Sequence, residues 1–456
     1  MIDIGEVLPA ARAALDALVR IPSVSASPTT DLRRSAELTA ELFRDANVPE
    51  VEIIDDIPGG QPAVLATCPA PPGMPTVLLY AHHDVQPAGD LGGWASAPFE
   101  PSERDGRLYG RGTADDKAGI AAHLAAILAH EGRPPVGVTV LIEGEEEISS
   151  PTLPAMLARY RDRLAADVIV LADSENLRVG TPMFTTTLRG TAACLVELRT
   201  LKSGAHSGSF GGAAPDALTS LCRLLATLHD ENGDVAVSGL RSGEIPAYDY
   251  PEARYRAEAS VLDGVGLHGT GSVAARVWAK PAVSVLAIDA TSVADASNTL
   301  VPVARAKVGL RVAPGDDAVR AGAALAQHLT AHAPWGARVS VTVTEIAQPH
   351  AVDTSGPAFA AARRAYRDAY GNDVVHIGSG GSIPFVAEFA TAFPSAAILI
   401  TSAGADNEAN AHGANESVHL AEFERACHAE ALLLTELARQ ATDGGRLDLQ
   451  PAEYSE

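Results

Sequence analysis

Thr76-Val-Leu-Leu-Tyr80 is a short, mostly apolar run that leads through Ala81 straight into His82-His-Asp84. The Pro/Gly cluster Pro69 to Pro75 stands ahead of it, so the run predicts a buried strand that ends on polar, chemically reactive residues. Outward from it, the same grammar repeats. Val51 to Ile54 and Ala63 to Ala66 are short strand candidates upstream, and Val138 to Ile142 and Val168 to Leu171 follow downstream. Between them lie helical stretches. Glu6 to Arg20 carries Leu8, Ala11, Leu15 and Leu18 at helical spacing, and Lys117 to His130 places Ile120, Leu124 and Ile127 on one stripe. Short buried strands alternating with helices predict an α/β architecture with a largely parallel sheet.

The middle of the chain changes period. Cys194, Val196 and Leu198 alternate with other residues, as do Val339, Val341 and Val343, which predicts strands with one solvated face. Asp216 to Leu228 reads as a helix of that region. The first pattern then returns, with a helix over Pro357 to Tyr370, a strand over Ala396 to Ile400 and a helix over Val418 to Arg439. The expected division is a catalytic α/β domain in two parts, 1–184 and 351–456, interrupted by an inserted α+β lobe over 185–350.

Composition narrows the classes. The chain has 456 residues, a formal charge of −23 and 46% apolar residues, enough for more than one core. The acidic surplus argues against nucleic acid or an anionic membrane as partner. Cys68, Cys194, Cys222 and Cys427 lie far apart, so neither a disulfide framework nor a zinc ribbon is suggested. The charge-free run Phe389 to Ala405 is interrupted by Pro394 and falls short of a membrane span, and the acidic start lacks a signal-peptide pattern. A cytoplasmic globular protein is expected.

Four acid/histidine clusters sit at or after predicted strands: His82 to Asp84, Asp115 with Asp116, Glu143 to Glu147, and Asp173 with Glu175. His412 follows the strand at 396–400. Ligands of open α/β sheets bind beyond the carboxyl ends of strands, so these clusters can converge on one crevice. So many carboxylates in one pocket would repel one another severely. Imidazole and carboxylate together suit a pair of divalent cations such as zinc or manganese, bridged by one aspartate.

These motifs resemble peptidase family M20, in particular its carnosinase-like dipeptidase branch. His82-His-Asp84 matches that family's H-x-D, Gly110-Arg-Gly-Thr-Ala-Asp-Asp-Lys117 its G-R-G-x-x-D-D-K, and Glu143 to Glu147 its E-G-x-E-E. His206-Ser-Gly-Ser-Phe-Gly-Gly212 matches its H-S-G-x-x-G-G, and Gly380-Gly-Ser-Ile-Pro384 its G-G-S-I-P. The resemblance runs over roughly residues 5–440. It implies a zinc-peptidase-like catalytic domain with a mostly parallel mixed sheet, interrupted by an α+β lid and dimerisation domain. Two divalent ions per chain are implied, zinc first, with manganese or cobalt as alternatives.

Carried over by position, the resemblance implies His82 and Asp173 on one metal, Glu147 and His412 on the other, and Asp115 bridging them through a peptide that is cis at Asp115–Asp116. It implies that Asp84 hydrogen-bonds the far nitrogen of His82. Glu146 would be the general base that works on a metal-bridging hydroxide or water. His206 would stabilise the oxyanion, acting in trans across a homodimer. Thr299, Arg311, Gly381 and Ser382 would bind substrate, Arg311 through the terminal carboxylate. Adjacent glutamates on a straight strand point opposite ways, so Glu146 and Glu147 reaching one centre predicts a turn.

Two departures stand out: Gly378 and Ser379 replace the Arg-Glu usual before G-G-S-I-P, and Ala81 replaces a glycine. Asp115 and Asp116 also suit the cap of the helix at Lys117, and Lys117 reads as a charge partner of these acids. Gly264-Val-Gly-Leu-His-Gly269 satisfies G-x-G-x-x-G, but no strand precedes it and no helix follows, so dinucleotide binding is not expected. The expected activity is hydrolysis of dipeptides or similar small free-carboxylate peptides. An N-acyl-amino-acid amidohydrolase, a desuccinylase or a carboxypeptidase on the same fold is the alternative, and a non-catalytic binding protein is the alternative of another class.

Overall fold

Thr76–His82 is the third strand in chain order of a six-stranded mixed sheet. In space the strands run Glu50–Ile54, Ala63–Cys68, Gly137–Glu143, Thr76–His82, Val168–Leu171 and Ala397–Ile400. The last four are mutually parallel, and Ala63–Cys68 runs against both of its neighbours. The centre of the sheet is buried on both faces, which is why its strands read as continuous apolar runs rather than alternating ones. The computed structural model describes residues 4–27, 29–381 and 383–444.

The chain divides into two compact units, one of Met1–Thr186, Val352–His376 and Pro384–Glu456, the other of Thr187–Ala351 and Ile377–Ile383. Ile377–Ile383 therefore belongs to the second unit, although a sequence division at 351 puts it with the first. Local bonding explains this: Arg189 donates from Nε to the Gly380 carbonyl at 3.0 Å.

In the first unit, Lys117–Leu128 is buried on nearly every side, not only along Ile120, Leu124 and Ile127. Ala118, Ala121, Ala122 and Ala125 let the helices Leu8–Val19 and Leu420–Gly444 approach it closely. A helix apolar all round belongs in the middle of a fold. The final helix begins at Leu420 rather than Val418, because Ser417–His419 pairs as a strand with Arg107–Tyr109. Phe389 to Ala405 is split between the helix Pro384–Ala392 and the strand Ala397–Ile400. No helix among the described residues is long and apolar enough to cross a membrane.

The second unit is built on an antiparallel sheet ordered Ala282–Asp289, Val303–Val312, Gly190–Arg199 and Arg338–Ala347. Cys194, Val196 and Leu198 face the helices Ala217–Ala226 and Ala318–Ala331, while Leu195 faces outward. The alternation is clean until a register shift between Val343 and Glu345 leaves Val343 exposed. Asp216 precedes its predicted helix as the N-cap, accepting from the Thr219 amide at 2.8 Å.

Candidate metal centre

Sheet order explains how residues almost a hundred positions apart meet. Thr76–His82, Gly137–Glu143 and Val168–Leu171 are parallel neighbours, so their carboxyl ends share one edge. His82 closes the first of these strands, Glu143 closes the second, and Asp173 lies just beyond the third. Glu146 and Glu147 fall in the short 3-10 turn Glu146–Ile148, as the need for both to face one centre predicts. The Asp115–Asp116 peptide is cis, and His412 holds a positive φ of 63° in the loop after Ala397–Ile400.

Asp115 sits at the middle of the cluster. Its Oδ1 lies 3.0 Å from His82 Nε2, and its Oδ2 lies 2.9 Å from His412 Nε2. His412 Nε2 is also 3.1 Å from Glu147 Oε2, and Asp173 Oδ2 and Glu146 Oε2 each lie 4.0 Å from His82 Nε2. Two sets of ligand atoms lie within 4.8 Å of one another: His82 with Asp116 and Asp173, and Asp115 with Glu147 and His412.

The electrostatics of this cluster are those of a site short of positive charge. Burial, with Asp173, Asp115 and Glu147, pushes Glu146 up to about 9, against the pull of His82. Burial and Asp115 push Asp173 up to about 7. Asp115, although burial works the other way, is held well below the ordinary range by His412 and His82. Lys117 feels the charge of Glu416 and Asp84 but makes its hydrogen bonds elsewhere. Its Nζ turns to the carbonyls of Leu18 and Ile21, at 2.9 and 2.8 Å, and burial brings it down to about 7. Asp116 caps the Lys117 helix through Oδ1, while its buried Oδ2 has no hydrogen-bond partner. A donor set of imidazoles and crowded carboxylates, with an orphaned carboxylate oxygen among them, fits divalent cations.

What surrounds the cluster holds it rigid. Asp84 accepts from the Glu146 and Glu147 amides at 3.1 and 3.0 Å, so it fixes the turn as well as His82. Toward His82 Nδ1, the nearer acceptor is the Asp84 carbonyl at 3.1 Å, with the carboxylate Oδ1 at 3.4 Å. Gln86 donates from its amide and from Nε2 to Glu147, at 3.1 and 2.8 Å. The residue that sequence reasoning misses is Glu416. Fully buried, it accepts from Gly112, Ala114 and Asp115 amides at 3.0, 2.9 and 3.2 Å and pairs with Arg111 at 2.5 Å. Arg111 in turn donates to the carbonyls of His412 and Gly413, at 3.1 and 3.2 Å. This clamp joins the Asp115 loop to the His412 loop.

The residues expected to meet substrate fall in the second unit. His206 and Thr299 face each other as paired residues of the short ladder Ala205–His206 with Thr299–Leu300. Arg311 occupies an exposed strand position and donates from Nη1 to Thr191 Oγ1 at 2.8 Å. Gly381 donates its amide to Ser379 Oγ at 3.2 Å, and Ser382 lies outside the described residues.

The model of peptidase family M20/M25/M40 matches residues 78–436. The chain belongs to peptidase family M20. Among its M20 relatives, the cysteinylglycine-S-conjugate dipeptidase of Corynebacterium striatum is 38% identical over 367 residues, 79% of this chain and 80% of the relative. The Beta-Ala-His dipeptidase of Rattus norvegicus is 27% identical over 433 residues, 88% of this chain and 87% of the relative. The crystal structure of human carnosine dipeptidase 1 shares the fold with a TM-score of 0.76 at 24% identity, covering 96% of this chain and 97% of that one. The mixed α/β sheet described above is the M20 fold.

Proposed function

We propose that this M20 peptidase hydrolyses the single peptide bond of dipeptides that carry a free carboxylate. The observation that carries the reading is Asp115, whose two oxygens each meet a different imidazole, His82 on one side and His412 on the other. That arrangement supports Asp115 as the bridge between two divalent cations, with His82 and Asp173 holding one and Glu147 and His412 the other. Zinc is the first choice, with manganese or cobalt as alternatives. When bound, such a pair supplies Lewis acidity to the scissile carbonyl and acidifies the attacking water.

The chain's own residues do the rest. Glu146, on the turn fixed by Asp84, takes the proton of the attacking water and hands it to the leaving amine. His206, beside Thr299 in the ladder, donates to the developing oxyanion. Arg311 grips the terminal carboxylate, and substrate binding is assigned also to Gly381 and Ser382.

The second unit serves as lid and dimerisation domain in this reading, with His206 acting in the partner's site. Two features support it. His206 is exposed, and the edge strand Ala282–Asp289 shows Val285, Leu286 and Ile288 to solvent, an unpaired apolar edge of the kind that a second copy covers. A cytoplasmic location agrees with Cys68, Cys194, Cys222 and Cys427 all being unpaired.

A substrate panel tests the activity. Release of free amino acids from unblocked dipeptides, abolished by a chelator and restored by zinc, manganese or cobalt, is expected. Hydrolysis confined to N-acylated amino acids would move the assignment to an amidohydrolase or desuccinylase. Activity indifferent to chelation would overturn the metal centre.

A further inference from the structure

Gly264-Val-Gly-Leu-His-Gly269, unfit for dinucleotides, nevertheless lines something. Its Val265 to His268 line a cavity of ≈ 600 Å³ that lies wholly in the second unit and is lined also by Ala282, Val283 and Ser284 of the edge strand. Val273, Val283 and Leu267 give it an apolar floor, and Arg189 and Arg276 bring two guanidinium groups to it. Neither Asp nor Glu is among its described lining residues, in a chain whose net charge is −23.

The two guanidinium groups are not neutralised from within. Arg189 is 9% exposed and spends its hydrogen bonds on carbonyls, Nε on Gly380 at 3.0 Å and Nη1 toward Lys280 at 3.4 Å. Burial, together with Arg311, brings it down to about 10. Arg276 likewise donates to the carbonyls of Gly271 and His268, at 3.0 and 3.2 Å. Asp234, in an adjoining crevice, is already held by Lys280 Nζ at 2.6 Å and by Thr270. For the buried Arg189, positive charge facing carbonyls alone is costly, and an anion that enters the cavity relieves it, with the half-exposed Arg276 beside it at the same wall.

We infer that this cavity binds a small organic carboxylate with an apolar body, the carboxylate between Arg189 and Arg276 and the body against Val273, Val283 and Leu267. A planar carboxylate matches the guanidinium fork, and the apolar floor excludes a bare inorganic ion as the best ligand. The site does not depend on the metal centre. The carboxylate has two possible sources, the end of a peptide or a free organic acid.

Calorimetric titration of the full chain with hexanoate and with its neutral isostere hexanamide tests the site. The neutral chelator 1,10-phenanthroline, present throughout, keeps the metal centre out of the reading. Hexanoate should bind at least about tenfold more tightly than hexanamide. Arg276→Gln should weaken hexanoate about tenfold, and Val265→Trp, at the exposed rim away from the edge strand, should abolish binding while the melting temperature holds. Repeating the titration without chelator on a metal-loaded Glu146→Gln chain saturated with dipeptide separates the sources. Mutual exclusion would move the dipeptide's terminal carboxylate from Arg311 to this cavity, and simultaneous binding assigns a free acid. Equal binding of the amide, or hexanoate binding that neither variant changes, overturns the site whether or not the chain hydrolyses dipeptides.

Discussion

His82 and His206 are both assigned to one reaction, yet the two are held in opposite ways. His82 is fully buried, with Asp115 at one ring nitrogen and Asp84 at the other. His206 is exposed, and among the described residues its Nδ1 meets only the Gly208 amide, at 3.1 Å, two residues along its own loop. The same contrast separates their surroundings. Around His82 the first unit supplies an acid cluster braced by Asp84, Gln86, Arg111 and Glu416. Around His206 the second unit supplies a two-residue ladder and open strand positions. The difference teaches that the His82 cluster is preorganised by its own unit, whereas the role proposed for His206 depends on what substrate or partner supplies.

That contrast can be broken by mutation. Glu146→Gln should keep the cations and lose turnover by about a thousandfold, the range of a missing general base. Metal analysis and dipeptide hydrolysis on one sample check it, and retained turnover would falsify the assignment. His206→Ala should cost about a hundredfold in turnover, as loss of an oxyanion donor does, with metal content unchanged. Mixing the inactive His206→Ala and Glu146→Gln chains should restore partial activity after subunit exchange. No recovery despite verified exchange would place His206 within its own chain's site.

Glu416→Gln sharpens the comparison from the structural side. It leaves the Arg111 guanidinium buried without its counter-charge, which should lower stability by about 3 kcal/mol and loosen metal retention together. A melting curve and a metal-release rate check the pair. An unchanged melt would show that the clamp does not brace the centre. In the second unit the expected effects are small. Lys280 holds Asp234 down to about 2, below its unfolded value of about 3.9. The pair's contribution is therefore complete above the unfolded value and is lost as pH falls toward 2. Asp234→Asn should lose correspondingly less stability than the wild type between pH 5 and pH 2. Parallel denaturation profiles for the two chains would remove the pair from the account.

Much of the first unit was legible because its chemistry is local. Metal-ligating residue types stand immediately after apolar runs, so His82, Glu147 and Asp173 announce both a strand end and a site. Glu416 was not legible. A lone glutamate between Asn415 and Ser417 carries no local signal, and its partners lie some three hundred positions away. Lys117 was legible only in part: acids do act on its charge, but its hydrogen bonds go to the carbonyls of Leu18 and Ile21, nearly a hundred positions upstream. Nor did the sequence pattern show that His206 faces Thr299, because register across a long connection is set by packing and not by spacing. The loop Gly264 to Gly269 lacks the flanking strand and helix of a dinucleotide motif, and its place around a cavity depends on contacts that no motif encodes.

The interruption of the first unit has a consequence for how the chain is made. Its central strands and all four of its acid clusters leave the ribosome before Thr187, but Ala397–Ile400, His412, Glu416 and the helix Leu420–Gly444 come last. At about 5–20 residues per second, the nascent acid pocket waits for roughly ten to tens of seconds before its final imidazole and its clamp arrive. Meanwhile the second unit is synthesised whole apart from Ile377–Ile383 and can collapse on its own antiparallel sheet. The order of synthesis thus runs opposite to the order of rigidity, and the most tightly braced part of the protein is the last to be completed.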